Sequence, residues 1–147
     1  MRSEHHWEGL IPQPDKYFGF VYLIECQIDG SKYIGKKQYW MAKPKAKGCK
    51  SRVGDKSSDR WKDSCWKESN WKSYTGSSKA FNEHIKKIGK ENFRFTILGQ
   101  YAARGDLVYA EARQQMVRDV MKDDKYFNGQ VSSVKFKPPC KECEELC

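Results

Sequence analysis

Gly19-Phe20-Val21-Tyr22-Leu23-Ile24-Glu25-Cys26-Gln27-Ile28-Asp29-Gly30-Ser31-Lys32-Tyr33-Ile34-Gly35-Lys36-Lys37 is the stretch whose reading decides the fold. Its first half mixes aliphatic and aromatic residues, which predicts a strand from Phe18 to Ile28. Asp29-Gly30 is a two-residue hairpin signal, because glycine tolerates the positive φ of a type I′ turn. Ser31 to Lys37 then returns as a second strand. An ideal hairpin closed in this way sets Tyr33 opposite Cys26, Gly35 opposite Ile24 and Lys37 opposite Tyr22. Side chains alternate with period two, so all six positions share one face. Two phenols and an ammonium group then occupy one surface, with cross-strand partners about 5 Å apart. Gly35 leaves space between Tyr33 and Lys37, and the arrangement suits a cluster holding a phosphate and a water. A bulge near the turn would instead send Lys37 to the other face. The bland alternative is a half-exposed sheet on which tyrosine and lysine are ordinary strand residues.

Outward from the hairpin, residues 1–16 are polar and carry Pro12 and Pro14, so they read as an N-terminal arm. Residues 17–134 read as one domain and 135–147 as a Cys-rich tail, in a chain of 147 residues for which a single domain is the default. Within the domain, residues 38–72 form a basic insertion where hydrophobic periodicity disappears. From Lys36 through Lys72 there are twelve Lys or Arg against four acidic residues. Trp61, Trp66 and Trp71 recur every five residues, a spacing that makes no single helical stripe and predicts an irregular loop or short turns. Order returns with a helix capped by Ser77 or Ser78, carrying Phe81, Ile85 and Ile88 and stopping at Gly89. Asn92 to Leu98 reads as a third strand. Asp106 is expected to cap a long helix to about Met121, with Leu107, Ala110, Val117 and Met121 on or near one stripe. Tyr126-Phe127-Asn128-Gly129 reads as a structured turn.

The net charge of +9 favours a polyanionic partner, without separating DNA from RNA or an anionic membrane surface. No apolar run approaches the ~20 residues needed to span a bilayer. Met1 to Trp7 lacks the apolar core of a secretory signal, so a cytoplasmic compartment is the default and the six cysteines are expected to be mostly reduced.

Gly19-Phe20-Val21-Tyr22 followed by Tyr33-Ile34-Gly35 resembles the two signature strands of GIY-YIG nucleases. The first motif ends Phe-Val-Tyr in place of Gly-Ile-Tyr, and the second is literal. The resemblance continues through Ser77-Ser78-Lys79 opening a helix, the strand Phe93-Arg94-Phe95-Thr96-Ile97-Leu98, and a later helix with Tyr109-Ala110-Glu111-Ala112. It extends to Asn128 in Phe127-Asn128-Gly129. The run Trp71-Lys72-Ser73-Tyr74-Thr75-Gly76-Ser77-Ser78 is similar to stand-alone, phage-type members, which would place the protein in a host cytoplasm. Together these cover about residues 18–132.

What the resemblance implies is an α+β fold, with a small three-stranded antiparallel sheet flanked by helices. It also implies endonucleolytic hydrolysis of DNA phosphodiesters with one divalent cation, Mg²⁺ or Mn²⁺. By position, Tyr22 and Tyr33 are the active-site phenols, Glu111 the metal ligand and Asn128 a supporting residue. Many members carry a catalytic arginine on a helix after the second motif, and none stands out here. Lys37 is the cation preferred by the hairpin geometry, with Lys36 adjacent and Arg60 and Arg52 as local look-alikes. Phosphodiester hydrolysis needs an activated water, charge neutralisation and a stabilised leaving oxygen. One carboxylate is an adequate protein ligand for Mg²⁺, which keeps several waters. A phenol can orient or deprotonate water, and a nearby lysine and metal would favour its phenolate.

Other readings stand beside these. Glu111 is otherwise a solvated helix residue pairing with Gln115 or Arg118, Asn128 a turn residue, and Ser77 and Ser78 caps whose helix N-terminus could hold a phosphate. The basic insertion either tracks a DNA backbone, with Arg52, Arg60, Lys36 and Lys72 as contacts, or packs its tryptophans on the sheet. Cys140, Cys143 and Cys147 invite a structural zinc, with a fourth ligand drawn from Cys49, Cys65, His5 or His6. Cys26 reads as a core or site-flanking thiol and His84 as a helix surface residue. A non-catalytic nucleic-acid-binding module of the same fold and a zinc-stabilised interaction protein are the alternative functions.

Overall fold

The structure is a computed structural model that describes residues 5–42, 66–129, 131 and 142–146. Lys45, Lys47, Lys50, Arg52, Arg60, Trp61, Cys49, Cys65, Cys140 and Cys147 lie outside the described residues. The strands are β1 (Trp7–Gly9), β2 (Gly19–Cys26), β3 (Lys32–Gln38), β4 (Trp40–Ala42), β5 (Trp66–Glu68), β6 (Phe93–Tyr101) and β7 (Cys143–Glu145), and the helices are α1 (Lys79–Ile88) and α2 (Arg104–Val117).

The expected antiparallel trio is present as β3-β2-β6, within a mixed sheet of five strands. The outer edge of β6 is shared by β1, which runs parallel to it at Phe95 to Ile97, and by β7, antiparallel at Gly99 to Tyr101. Both extra strands come from stretches that read as polar arm and tail. What ties them down is a fully buried side chain, Gln100. Its Oε1 accepts from Gln13 N at 2.9 Å and Tyr39 Oη at 2.6 Å, while its Nε2 donates to Ile11 O and Glu144 Oε2, each at 2.9 Å. A buried amide with every partner met is stable, whereas losing one leaves a costly orphan. Trp7, also buried, adds an indole bond to Trp71 O at 2.6 Å.

The hairpin forms with a different turn. Tyr22 pairs Gly35, Ile24 pairs Tyr33 and Phe20 pairs Lys37, so the register lies two residues away from that of a two-residue turn. Type I′ needs positive φ at both central residues, and here Gly30 has it (φ 77°) while Asp29 does not. The connection is therefore the four residues Gln27 to Gly30, closed by Cys26 N donating to Ser31 O at 2.7 Å. A shift of two preserves parity, and Tyr22, Tyr33, Gly35 and Lys37 stay on one face. Lys37 now stands opposite Phe20.

Each sheet face buries one helix. On one side Phe20, Tyr22, Ile24, Phe93 and Phe95 pack with Phe81 and Ile85 of α1. Ser78 caps α1 by accepting from Phe81 N at 3.2 Å, worth about 1 kcal/mol, and Gly89 closes it. Truncating Phe81, fully buried, to alanine should cost about 3–5 kcal/mol. On the other side Val21, Leu23, Ile34 and Leu98 meet Leu107 and Ala110 of α2. Asp106 does not cap this helix; it lies buried in the first turn, where the helix's positive end favours an acid, and Ala103 holds the cap position. Val117 and Met121 are 75% and 56% exposed and leave the expected stripe, because α2 ends at Val117 and the chain turns at Asp119 with φ 50°. Val120 fills the core in their place.

The basic insertion is entered and left through a β4–β5 ladder, Trp40 facing Glu68 and Ala42 facing Trp66. Trp66 and Trp71 are buried, as the packing alternative required of those two. No helix among the described residues is long and apolar enough to cross a membrane.

Candidate active site

Strand β3 is the edge of the sheet, and it determines what the site can be. Residues 125–128 run along its outer side and satisfy its first half: Lys32 N donates to Lys125 O at 2.7 Å and Phe127 N to Lys32 O at 2.8 Å. The Asn128 amide then replaces a strand partner, its Oδ1 accepting from Ile34 N at 3.0 Å and its Nδ2 donating to Ile34 O at 2.7 Å. Asn128 thus fixes the backbone of Ile34, between Tyr33 and Gly35. Beyond Ile34 no further strand pairs with this edge among the described residues.

Over that edge the front-face phenols gather. Gly35 has no side chain, and the Tyr22 ring fills the space; a Cβ on Gly35 would stand 2.7 Å from Tyr22 Cζ and 3.1 Å from Tyr33 Cε1. The Tyr22 and Tyr33 rings lie 6.3 Å apart. A third phenol, Tyr74, meets Tyr22 edge-on at 6.1 Å, and each phenol acts on the other's ionisation. Tyr33 Oη is 3.1 Å from Ser77 Oγ. Gly76, at φ 94°, brings the chain close enough that a Cβ would lie 3.3 Å from both Tyr22 Oη and Tyr33 Cε1. Thr75 and Asn82 hold this loop against α1, with Thr75 Oγ1 donating to Asn82 Oδ1 at 2.6 Å and Asn82 Nδ2 to Gly76 O at 3.0 Å. The Lys37 ammonium sits 4.1 Å above the Tyr74 ring, and burial lowers its pKa.

From the back face, Lys36 reaches α2. Its Nζ is 2.9 Å from Glu111 Oε1, and the Glu111 side chain is only 8% exposed. Glu111 is therefore not the solvated helix residue of the bland reading. Its charge also acts on Tyr22 and Tyr74 and helps raise both phenols. For Tyr22 burial is the first cause of a pKa well above the ordinary value, followed by Tyr74, Tyr33 and Glu111. The expected phenolate is thus disfavoured at Tyr22 by its burial.

The donor set fits a hard divalent cation. It offers a buried carboxylate with the Tyr22 and Tyr74 phenols within its electrostatic reach, and the protein already places a positive charge, the Lys36 ammonium, against that carboxylate. Glu111 would hold the ion, with Lys36 yielding or sharing its oxygen.

The fold thus brings Tyr22, Tyr33, Lys37 and Ser77 together on one side of β3 and joins Lys36 to Glu111 at its edge. Ser78 is committed to capping α1, and Lys72 lies near Glu68 at 3.8 Å, flanking the cluster through Trp71. Tyr74 is the residue that sequence reasoning passed over. Its signal was present in the Tyr74-Thr75-Gly76-Ser77 run, but nothing local says that this phenol turns toward Tyr22.

An α+β domain whose hairpin carries Tyr22 and Tyr33-Ile34-Gly35 beside a helix bearing Glu111 has the architecture of the GIY-YIG nuclease class. Residues 4–131 match the family model described as "Putative endonuclease segE, GIY-YIG domain", and the chain belongs to this GIY-YIG endonuclease domain family. No curated protein and no solved structure matches the chain.

Proposed function

We propose that the chain is a divalent-metal-dependent DNA endonuclease that uses the β3 edge as its active site. The observation that carries this reading is the convergence of Tyr22, Tyr33 and Tyr74 over Gly35, within electrostatic reach of the buried Glu111 carboxylate. Phosphodiester hydrolysis requires a positioned, activated water and cations that neutralise developing charge. Tyr22, kept neutral, and Tyr33, bonded to Ser77, would orient the attacking water and a phosphate oxygen. Lys37, partly desolvated, supplies positive charge to the phosphorane-like state more effectively than it would in bulk water. Glu111 would hold Mg²⁺ or Mn²⁺, which when bound would supply Lewis-acid stabilisation of phosphoryl oxygens. Asn128 keeps β3 in register, and the opening turn of α1 at Ser77 and Ser78 offers backbone N–H groups to a phosphate. Lys36, Lys72 and, outside the described residues, Arg52 and Arg60 extend the contact to the DNA backbone, consistent with a net charge of +9.

Supercoiled plasmid and branched DNA incubated with the full chain, with and without Mg²⁺, test the reading beside Glu111→Gln and Tyr22→Phe. Cleavage that needs Mg²⁺ and is lost in both variants, with DNA binding retained, is the expected result. Binding without cleavage by the unmodified protein would make it a nucleic-acid-binding module. Full activity in Glu111→Gln would remove Glu111 from the metal site.

A further inference from the structure

At the far end of the hairpin, three side chains from different segments point their donor atoms at one another. Cys26 ends β2, Asp29 sits in the turn, and His84 projects from the middle of α1. The Cys26 sulfur, an Asp29 carboxylate oxygen and an His84 ring nitrogen all lie within 4.8 Å of one another. His84 Nε2 is 2.8 Å from Asp29 Oδ2. His84 is therefore not a plain helix-surface residue, and Cys26 is more than core filling.

We infer that Cys26, Asp29 and His84 form a zinc site that fastens the hairpin turn to α1. Sulfur, imidazole nitrogen and carboxylate oxygen together are the donor set of Zn²⁺, a borderline-soft ion, and not of Mg²⁺ or Ca²⁺, which take oxygen. Zinc bonds of about 2.0–2.3 Å in a tetrahedron set donors roughly 3.3–3.8 Å apart. The three donors, all within 4.8 Å of one another, would take up that spacing with the Asp29–His84 pair opening from 2.8 Å. Asp29 and His84 are each oriented by something outside the trio. Ser31 N donates to Asp29 Oδ1 at 2.9 Å, which turns the second oxygen toward His84. Gly30 N donates to Cys26 O at 3.1 Å and shapes the turn below. The His84 ring is boxed by Phe127 at 5.2 Å and Phe93 at 6.1 Å. Such outer contacts are what fix ligands in zinc centres. A carboxylate–imidazole pair by itself would have no use for a buried thiol; the third donor is what points to a metal. The fourth position falls to water beside the exposed Asp29. Binding would deprotonate the thiol, release its proton to solvent, and cross-link the strand pair that carries Tyr33 to the helix that follows Ser77. The site is separate from the β3-edge cluster, so its test does not depend on cleavage.

The test uses the full chain with Cys140, Cys143 and Cys147 changed to serine, reduced and stripped of metal. Zn²⁺ is titrated in competition with a chromophoric chelator, and Co²⁺ reports thiolate ligation by its charge-transfer band. One equivalent of Zn²⁺, a cobalt–thiolate band and a rise in Tm are expected. His84→Ala should weaken Zn²⁺ binding at least tenfold and abolish the Tm rise, and Cys26→Ser should remove the band. Because Cys26 is buried and its variant could fail to fold, His84→Ala carries the decision by itself. Absence of Zn²⁺ binding in the tail-serine protein, or undiminished binding in His84→Ala, overturns the site.

Discussion

The Lys36 ammonium and the Glu111 carboxylate, 75 residues apart in sequence, stand 2.9 Å from each other at the open edge of the sheet. The pair puts a protein cation where the proposed metal would be held, so Lys36 and Mg²⁺ compete for one carboxylate. Lys36→Met should then show two linked effects. Without metal, the buried Glu111 loses its lysine and stability falls by about 1–2 kcal/mol, less than for a fully buried pair because Lys36 is 37% exposed. With Mg²⁺ the loss is repaired, and half-saturation moves about tenfold lower. Thermal melts across a Mg²⁺ titration check this; parallel responses of variant and parent would show that Lys36 does not compete.

Gly35 is demanded by space, since a methyl group there would come within 2.7 Å of Tyr22 Cζ. Gly35→Ala should displace the Tyr22 ring, costing about 1–3 kcal/mol by overpacking and on the order of a hundredfold in cleavage rate. Single-turnover cleavage measured alongside far-UV circular dichroism separates loss of site from loss of fold. A folded variant with normal rate would mean that the position of Tyr22 is irrelevant to the chemistry.

Tyr74→Phe keeps the ring under Lys37 but deletes the hydroxyl that acts on Tyr22 and Ser77. The expected cost is about tenfold in kcat, the kinetic equivalent of about 1.4 kcal/mol, with stability changed by less than about 1 kcal/mol. An unaltered kcat would leave Tyr74 as packing alone.

His6 is stacked on Phe95 with ring centroids 3.9 Å apart, bonds Tyr74 O through Nε2, and has a buried Nδ1 with no hydrogen-bond partner among the described residues. Burial first, then the Lys90 charge, lowers its pKa from 6.5 to about 4. Between those values the unfolded chain takes up a proton that the folded chain refuses, so stability drops as pH falls from 6.5 toward 4 and is untouched by this group above 6.5. The loss should be on the order of 2 kcal/mol, allowing for solvent screening of a partly exposed ring. Urea unfolding of the parent and of His6→Gln across this range should show the parent losing that much more. Parallel curves would contradict the assignment.

Much of the fold was legible because it rests on short-range rules. Ser78 and Gly89 bracket α1 as cap chemistry predicts, and Phe81 and Ile85 face the core. The second helix was harder. Its acid at Asp106 mimics a cap while lying inside the first turn, and its exposed Val117 mimics a core position. The edge strands β1 and β7 were hidden in polar stretches, because Gln100 and Trp7 anchor them across long sequence separations.

What the amino-acid sequence determined by itself was the shared face of Tyr22, Tyr33, Gly35 and Lys37, since strand parity survives any even shift of register. Local chemistry also set the motif, the start of α1 at Ser78 and the basic character. The tertiary structure alone decided which residues meet. The φ of Gly30 without a matching φ at Asp29 chose the register and moved Lys37 away from Tyr22. Chain packing brought Tyr74 onto Tyr22, Asn128 onto Ile34 and Lys36 onto Glu111. Those contacts join segments separated by dozens of residues, and their formation depends on the packing of α1 and α2 on opposite faces of the sheet, which no local pattern encodes.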